Sequence, residues 1–75
     1  MSHYIIYRVN SAVIVDEQGD RHVVYGVDAV NGRKIIISVK NIFCERYRAE
    51  KLADDCNRFG VDVVHLIDII CDMLE

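Results

Sequence analysis

The side chains best suited to hold a metal ion or attack a substrate are Cys44, Cys56, Cys71, His3, His22 and His65. Structural zinc sites bring two ligands close in sequence, as C-x-x-C or H-x-x-x-H, because one turn or helix face must present both to the ion. No pair here has that spacing, so no metal is expected. His65 and Asp68 stand three residues apart, close enough on a helix to form a general acid–base couple. No third member supplies a nucleophile, and a structural role is expected for the pair. The glycines form no G-x-G-x-x-G run and precede no phosphate-binding lysine, which removes the common phosphate cradles. Gly26 lies inside an apolar run and is expected to mark a bulge or a close packing point. So short a chain also has little volume left for a pocket once its core is packed. The expectation is a protein that is not an enzyme, with no catalytic residue and no cofactor.

Elements that would position these groups must fit in 75 residues, a length that buries only ~60% of the unfolded surface and leaves room for one domain, residues 1–75. Hydrophobic residues make up 52% and charged residues 28%, with no proline, which is the composition of a folded globular chain rather than a disordered one. Uncharged apolar runs fall far short of the ~20 residues of a membrane span, and Met1 to Tyr7 lacks a basic leader pattern. No membrane segment is expected. Three cysteines, an odd number, argue against a disulfide framework and for a reducing, cytoplasmic compartment.

Three β-branched segments, Tyr4 to Val15, His22 to Val30 and Lys34 to Ile42, are separated by Asp16-Glu17-Gln18-Gly19-Asp20 and by a turn around Asn31-Gly32. Such short connections require antiparallel hairpins, hence a β-meander. A three-residue loop Glu17-Gln18-Gly19 with Gly19 left-handed pairs Val13 with Val23, Ser11 with Tyr25, Val9 with Val27 and Tyr7 with Ala29. The same loop type at Val30-Asn31-Gly32 pairs Val27 with Ile35, Tyr25 with Ile37 and Val23 with Val39. One face becomes apolar. The other sets Asp28 between Arg8 and Lys34 as a ladder of opposite charges.

From Glu45 to Phe59 the period changes to that of a helix, with Ala49, Leu52, Ala53, Cys56 and Phe59 in one arc. Asn41 or Cys44 would cap its start, Asp54 and Arg58 would pair across one turn, and Gly60 would end it. Asp62 is the expected N-cap of a second helix, Val63 to Leu74. That helix is apolar over more than half its circumference, leaving His65, Asp68, Asp72 and Glu75 for water. It is expected to be wedged between the sheet and the first helix and also to form a subunit contact. The resulting fold class is α+β: a three-stranded antiparallel meander followed by two helices packed on one face. Val9, Val13, Val23, Tyr25, Val27, Ile35, Ile37 and Val39 line that face, and Leu52, Cys56, Phe59, Leu66, Ile70 and Leu74 complete the core.

Tyr25-Gly26-Val27 and Val64-His65-Leu66-Ile67-Asp68 resemble two elements of a family of short uncharacterised bacterial proteins. Those proteins carry a strand with Tyr-Gly-Ile and a C-terminal helix opening Pro-Ile-His-Leu-x-Asp. The resemblance covers Tyr25 to Leu74. It departs where Val63 stands for the proline, and where Ile67 and Cys71 stand for polar residues. It implies a bacterial cytosolic origin and transfers no activity.

Charge is divided unevenly: residues 1–49 carry net +2 and residues 50–75 net −5, for −3 in all. Arg8, Lys34 and Lys40 on the outer sheet face are the candidate contacts of a nucleic-acid-binding regulator, the alternative function. Asp28 among them, and the acidic total, argue against nucleic acid. The stronger signal is surplus apolar surface, on the outer sheet face at Ile6, Ala12, Ile14, Val24, Val30, Ile36 and Ile42 and on the wide arc of the second helix. Ile69, Met73, Ile14, Val24, Ile36 and Tyr47 are therefore the candidate interface residues. The function expected is a non-enzymatic interaction or accessory module, forming a homodimer, binding another protein, or both.

Overall fold

A computed structural model of the chain describes residues 5–74, and of Leu74 the backbone alone. His3, Tyr4, Glu75 and the Leu74 side chain, all invoked above, lie outside it. The elements are β1 (Ile6–Val15), β2 (Arg21–Asn31), β3 (Lys34–Phe43), α1 (Arg46–Phe59) and α2 (Val63–Leu74). The strands form one antiparallel sheet in the order β1-β2-β3, so the fold is α+β as expected.

Between β1 and β2 the register is the expected one, with Tyr7 opposite Ala29, Val9 opposite Val27, Ser11 opposite Tyr25 and Val13 opposite Val23. Gly19 takes φ 82° at the end of the loop, and the Asp16 N–H donates to the Asp20 carbonyl at 3.0 Å to close it. The Asp16 carboxylate accepts from the backbone N–H groups of Gln18 and Asp20, each at 2.9 Å, and its other oxygen meets His22 Nε2 at 2.6 Å. The His22 contact first, and the turn N–H groups with it, hold the Asp16 carboxyl below the usual carboxylate range.

Between β2 and β3 the expected register is wrong. The turn is Gly32-Arg33, flanked by the pair Asn31 and Lys34, and Val27 lies opposite Val39 rather than Ile35. Gly32 with φ 62° at the first central position suits a two-residue hairpin of the II′ class, which replaces the expected three-residue loop. Two bulges follow. Ile36 is the extra residue between the pairs Val30–Ile35 and Ala29–Ile37, and Lys40, Asn41 and Ile42 together oppose Gly26. Asn41 accommodates the second bulge with φ 59°, a left-handed value that asparagine tolerates better than most residues. Lys34 therefore never reaches Asp28. Arg8 stands opposite Asp28 as expected, but on the β3 side the Asp28 carboxylate accepts hydrogen bonds from Ser38 and, with it, Asn10, so a polar cluster drawn from all three strands replaces the Lys34 half of the ladder.

The core lies on the predicted face. Tyr7, Val27, Ala29 and Phe43 of the sheet are closed by Ala49, Leu52, Ala53 and Cys56 of α1 and by Leu66 and Ile70 of α2. Val13, Val23 and Ile35 were expected there and are exposed, Val13 by 61%. For Ile35 the first bulge is the cause, since it pairs with Val30 on the opposite face. For the two valines the cause is length: α1, with 14 residues, covers about 21 Å, whereas strands of 10 and 11 residues run to about 33 Å or more. The far end of the β1–β2 hairpin, beyond the last β3 pair at Tyr25, projects uncovered. The molecule measures 50 × 28 × 18 Å.

Glu45, not Asn41 or Cys44, is the N-cap of α1 and makes no side-chain capping bond, while Gly60 ends the helix at φ 61° as expected. The ion pairs on its surface are Arg48 with the cap Glu45, Arg46–Glu50 and Lys51–Asp55, rather than Asp54 with Arg58. Phe59 is 73% exposed; Val61, just past the turn, packs on the core in its place. The Tyr7 hydroxyl donates to the Val61 carbonyl and so ties the α1–α2 connection to β1. Burial, with smaller contributions from Cys56 and Asp62, raises that hydroxyl above its ordinary pKa, which keeps it a proton donor. Tyr7→Phe retains the ring and leaves the carbonyl without its partner. A loss of about 1–2 kcal/mol in urea unfolding, at unchanged m-value, is the expected result.

Candidate functional site

The polar clusters are small and local. Asp62 caps α2 as expected, accepting the His65 backbone N–H at 2.8 Å. The same carboxylate lies 3.0 Å from His65 Nδ1, so His65 pairs backward with its cap and not forward with Asp68. Ser38 and Asp28 are in contact, but among the described residues no histidine hydrogen-bonds either one to complete a nucleophilic set. The cysteines are free. Burial first, then the charge of Asp55, pushes the Cys56 thiol up, so it remains protonated and unreactive. Cys71 is exposed, because α2 turns that side away from the core. Among the described residues no group of His, Cys, Asp or Glu gathers as metal ligands would, and no helix is long and apolar enough to cross a membrane.

The apolar surfaces are more extensive. α2 touches the core along one stripe, Leu66 and Ile70 fully, with Val63 and Ile69 at its margins. It is not wedged between the sheet and α1. Its apolar arc is wider than that stripe, so one flank leaves Val64, Ile67 and Cys71 open to solvent, Val64 by 69%. The other flank faces α1 across a groove of about 360 Å³. Ile69 and Met73 form one wall, Phe43 and Leu52 contribute apolar surface, and Tyr47, Arg48, Lys51 and Asp55 line the α1 side. The Arg48 guanidinium lies 5.6 Å from the centre of the Phe43 ring, which holds the arginine stem along the groove. Lys51 is bonded to Asp55 at 3.1 Å, so the polar wall is largely self-neutralised.

No family model matches this chain, and no curated protein or solved structure does either. The groove must be judged on its own chemistry.

Three of the six candidate interface residues, Tyr47, Ile69 and Met73, come together in it although they are as far apart as 26 positions in sequence. Ile14 and Ile36 are exposed elsewhere on the sheet. Val24, opposite Ala12 on β1, is 3% exposed and offers no surface. Of the candidate nucleic-acid contacts, Arg8 alternates onto the outer face, whereas Lys34 pairs with Asn31 on the side of Val27 and Ala29. Lys40 sits in the second bulge. The three cations do not form one patch.

Sequence reasoning missed Asn57. From α1 its side-chain amide reaches the edge of β1, accepting the Tyr7 N–H and donating to the Tyr7 carbonyl, both at 2.7 Å. On a helical wheel Asn57 is simply one more polar residue, and nothing in its spacing signals this contact. Asn10 did carry a signal: asparagine is depleted in strand interiors, and here it faces Gly26 and joins all three strands.

Proposed function

We propose that the chain is a non-enzymatic protein-interaction module that also self-associates, working in a bacterial cytoplasm. One observation carries the reading: α2 is held by a single stripe and presents apolar surface on both flanks, one of them lining a groove with Tyr47 and Phe43. Apolar surface of this kind on a small protein is normally covered by a partner. The free cysteines and the likeness of Val64-His65-Leu66-Ile67-Asp68 to the bacterial family support the compartment.

Sedimentation equilibrium, together with capture from bacterial lysate with and without nuclease, tests the reading. Expected are a dimer in sedimentation and a stoichiometric protein retained after nuclease. Retention should be lost in a Tyr47→Ala, Met73→Glu double variant whose circular dichroism is unchanged. A monomer at every concentration that retains no protein sinks the reading. Retained nucleic acid that disappears with nuclease and raised salt would replace it with the regulator function.

A further inference from the structure

The two edges of the sheet are built differently. β3 carries Lys34 and Lys40, two bulges and the left-handed Asn41, all features that keep an edge from pairing with another strand. β1 has none of these between Val9 and Val15: no charge, no proline, no bulge. Among the described residues its protection is local. Asn57 occupies the N–H and carbonyl of Tyr7 and stops there.

That contact also gives the direction of the remaining backbone groups. Because those of Tyr7 point away from β2, alternation sends those of Val9, Ser11, Val13 and Val15 outward along the same free edge. Their stretch is uncharged and ends apolar on both faces, with Val13, Ile14 and Val15 exposed.

We propose that this free edge pairs antiparallel with the same edge of a second copy, about a twofold axis at Ala12. The inference rests on the self-association reading and gives it a geometry. Centred there, Val9 of each copy forms a hydrogen-bonded pair with Val15 of the other, and Ser11 with Val13. Arg8 of one copy falls opposite Asp16 of the other, twice by symmetry, so opposite charges meet at both ends of an otherwise uncharged ladder. The next outward residue in line is Tyr7, where the Asn57 amide already stands in for a strand. Asn57 therefore sets the limit of the pairing. An axis perpendicular to the sheet keeps the helices of both copies on one side, the side of the exposed Val13 and Val15.

The test uses the full chain carrying Cys44→Ser and Cys71→Ser. Ala12 becomes a non-hydrogen-bonded pair with itself, with Cα atoms about 4.5 Å apart, inside the range of roughly 4.4–6.8 Å that a disulfide requires. Ala12→Cys should give a covalent dimer on mild oxidation. Ile14→Cys should not, since the two residues 14 lie four positions out of register, about 13 Å apart. Val13→Pro removes an N–H that points away from β2, so the monomer fold should remain while the dimer is lost from sedimentation. If the parent chain sediments as a dimer but Ala12→Cys fails to link, or links no better than Ile14→Cys, the edge pairing is wrong and the self-association reading survives. If the parent chain is a monomer throughout, both fall.

Discussion

Gly26→Ala is expected to cost about 3 kcal/mol or more, a large part of the roughly 4–11 kcal/mol that a domain of this size commands. The added Cβ would overlap the Val39 carbonyl oxygen and come within 2.9 Å of both Lys40 Cα and Asn10 Oδ1. Asn10 has a short side chain that can turn away; the other two atoms are backbone, fixed by the Val27–Val39 and Tyr25–Phe43 pairs on either side of the bulge. Relief requires β3 to leave β2 where Phe43 enters the core. Thermal and urea unfolding followed by circular dichroism would read the loss, and dispersion in an amide correlation spectrum would show whether any native fold persists. Gly19→Ala is the control: nothing lies within 4 Å of the added atom, and only its φ of 82° is disfavoured, for a cost of about 1–2 kcal/mol. Equal midpoints for Gly26→Ala and the parent chain would contradict the bulge as described.

Leu66→Ala should lose about 2–5 kcal/mol, and the loss should fall on one element first. Leu66 is fully enclosed, and with Ile70, 6% exposed, it makes up the buried stripe of α2 among the described residues. Truncating it removes the larger half of that anchorage. Hydrogen exchange should show α2 amides losing protection while those of β2 keep theirs, because the sheet and α1 share Tyr7, Val27, Ala53 and Cys56 independently of α2. Uniform loss across the chain would mean that α2 is integral to the cooperative unit rather than attached to it.

How far these positions could be read in the sequence depended on how strongly each was specified locally. The first hairpin was legible because Gly19 and the alternation from Tyr7 to Val13 agree on one register. The second was not, since Ile35-Ile36-Ile37 is apolar at every position and gives the pairing no face to prefer. Parity nevertheless held over Ile37 and Val39, which is why the helix-bearing face was right while the partners on it were displaced. Among the candidate interface residues, Tyr47, Ile69 and Met73 were legible as surplus on two helices, but their meeting in one groove follows from how α2 crosses α1, and no spacing encodes that. Asn57 was invisible for the same reason: its partner is the backbone of a strand 50 residues away.

The uncovered hairpin end has a hydrodynamic consequence. A compact chain of this length would have a radius of gyration of about 11 Å, whereas this one has 13.2 Å. An elongated monomer drags more than a sphere of equal mass and elutes early from a sizing column, at a position easily mistaken for a pair. Sedimentation equilibrium, which reads mass without shape, separates a true pair from this elongated monomer where a sizing column does not.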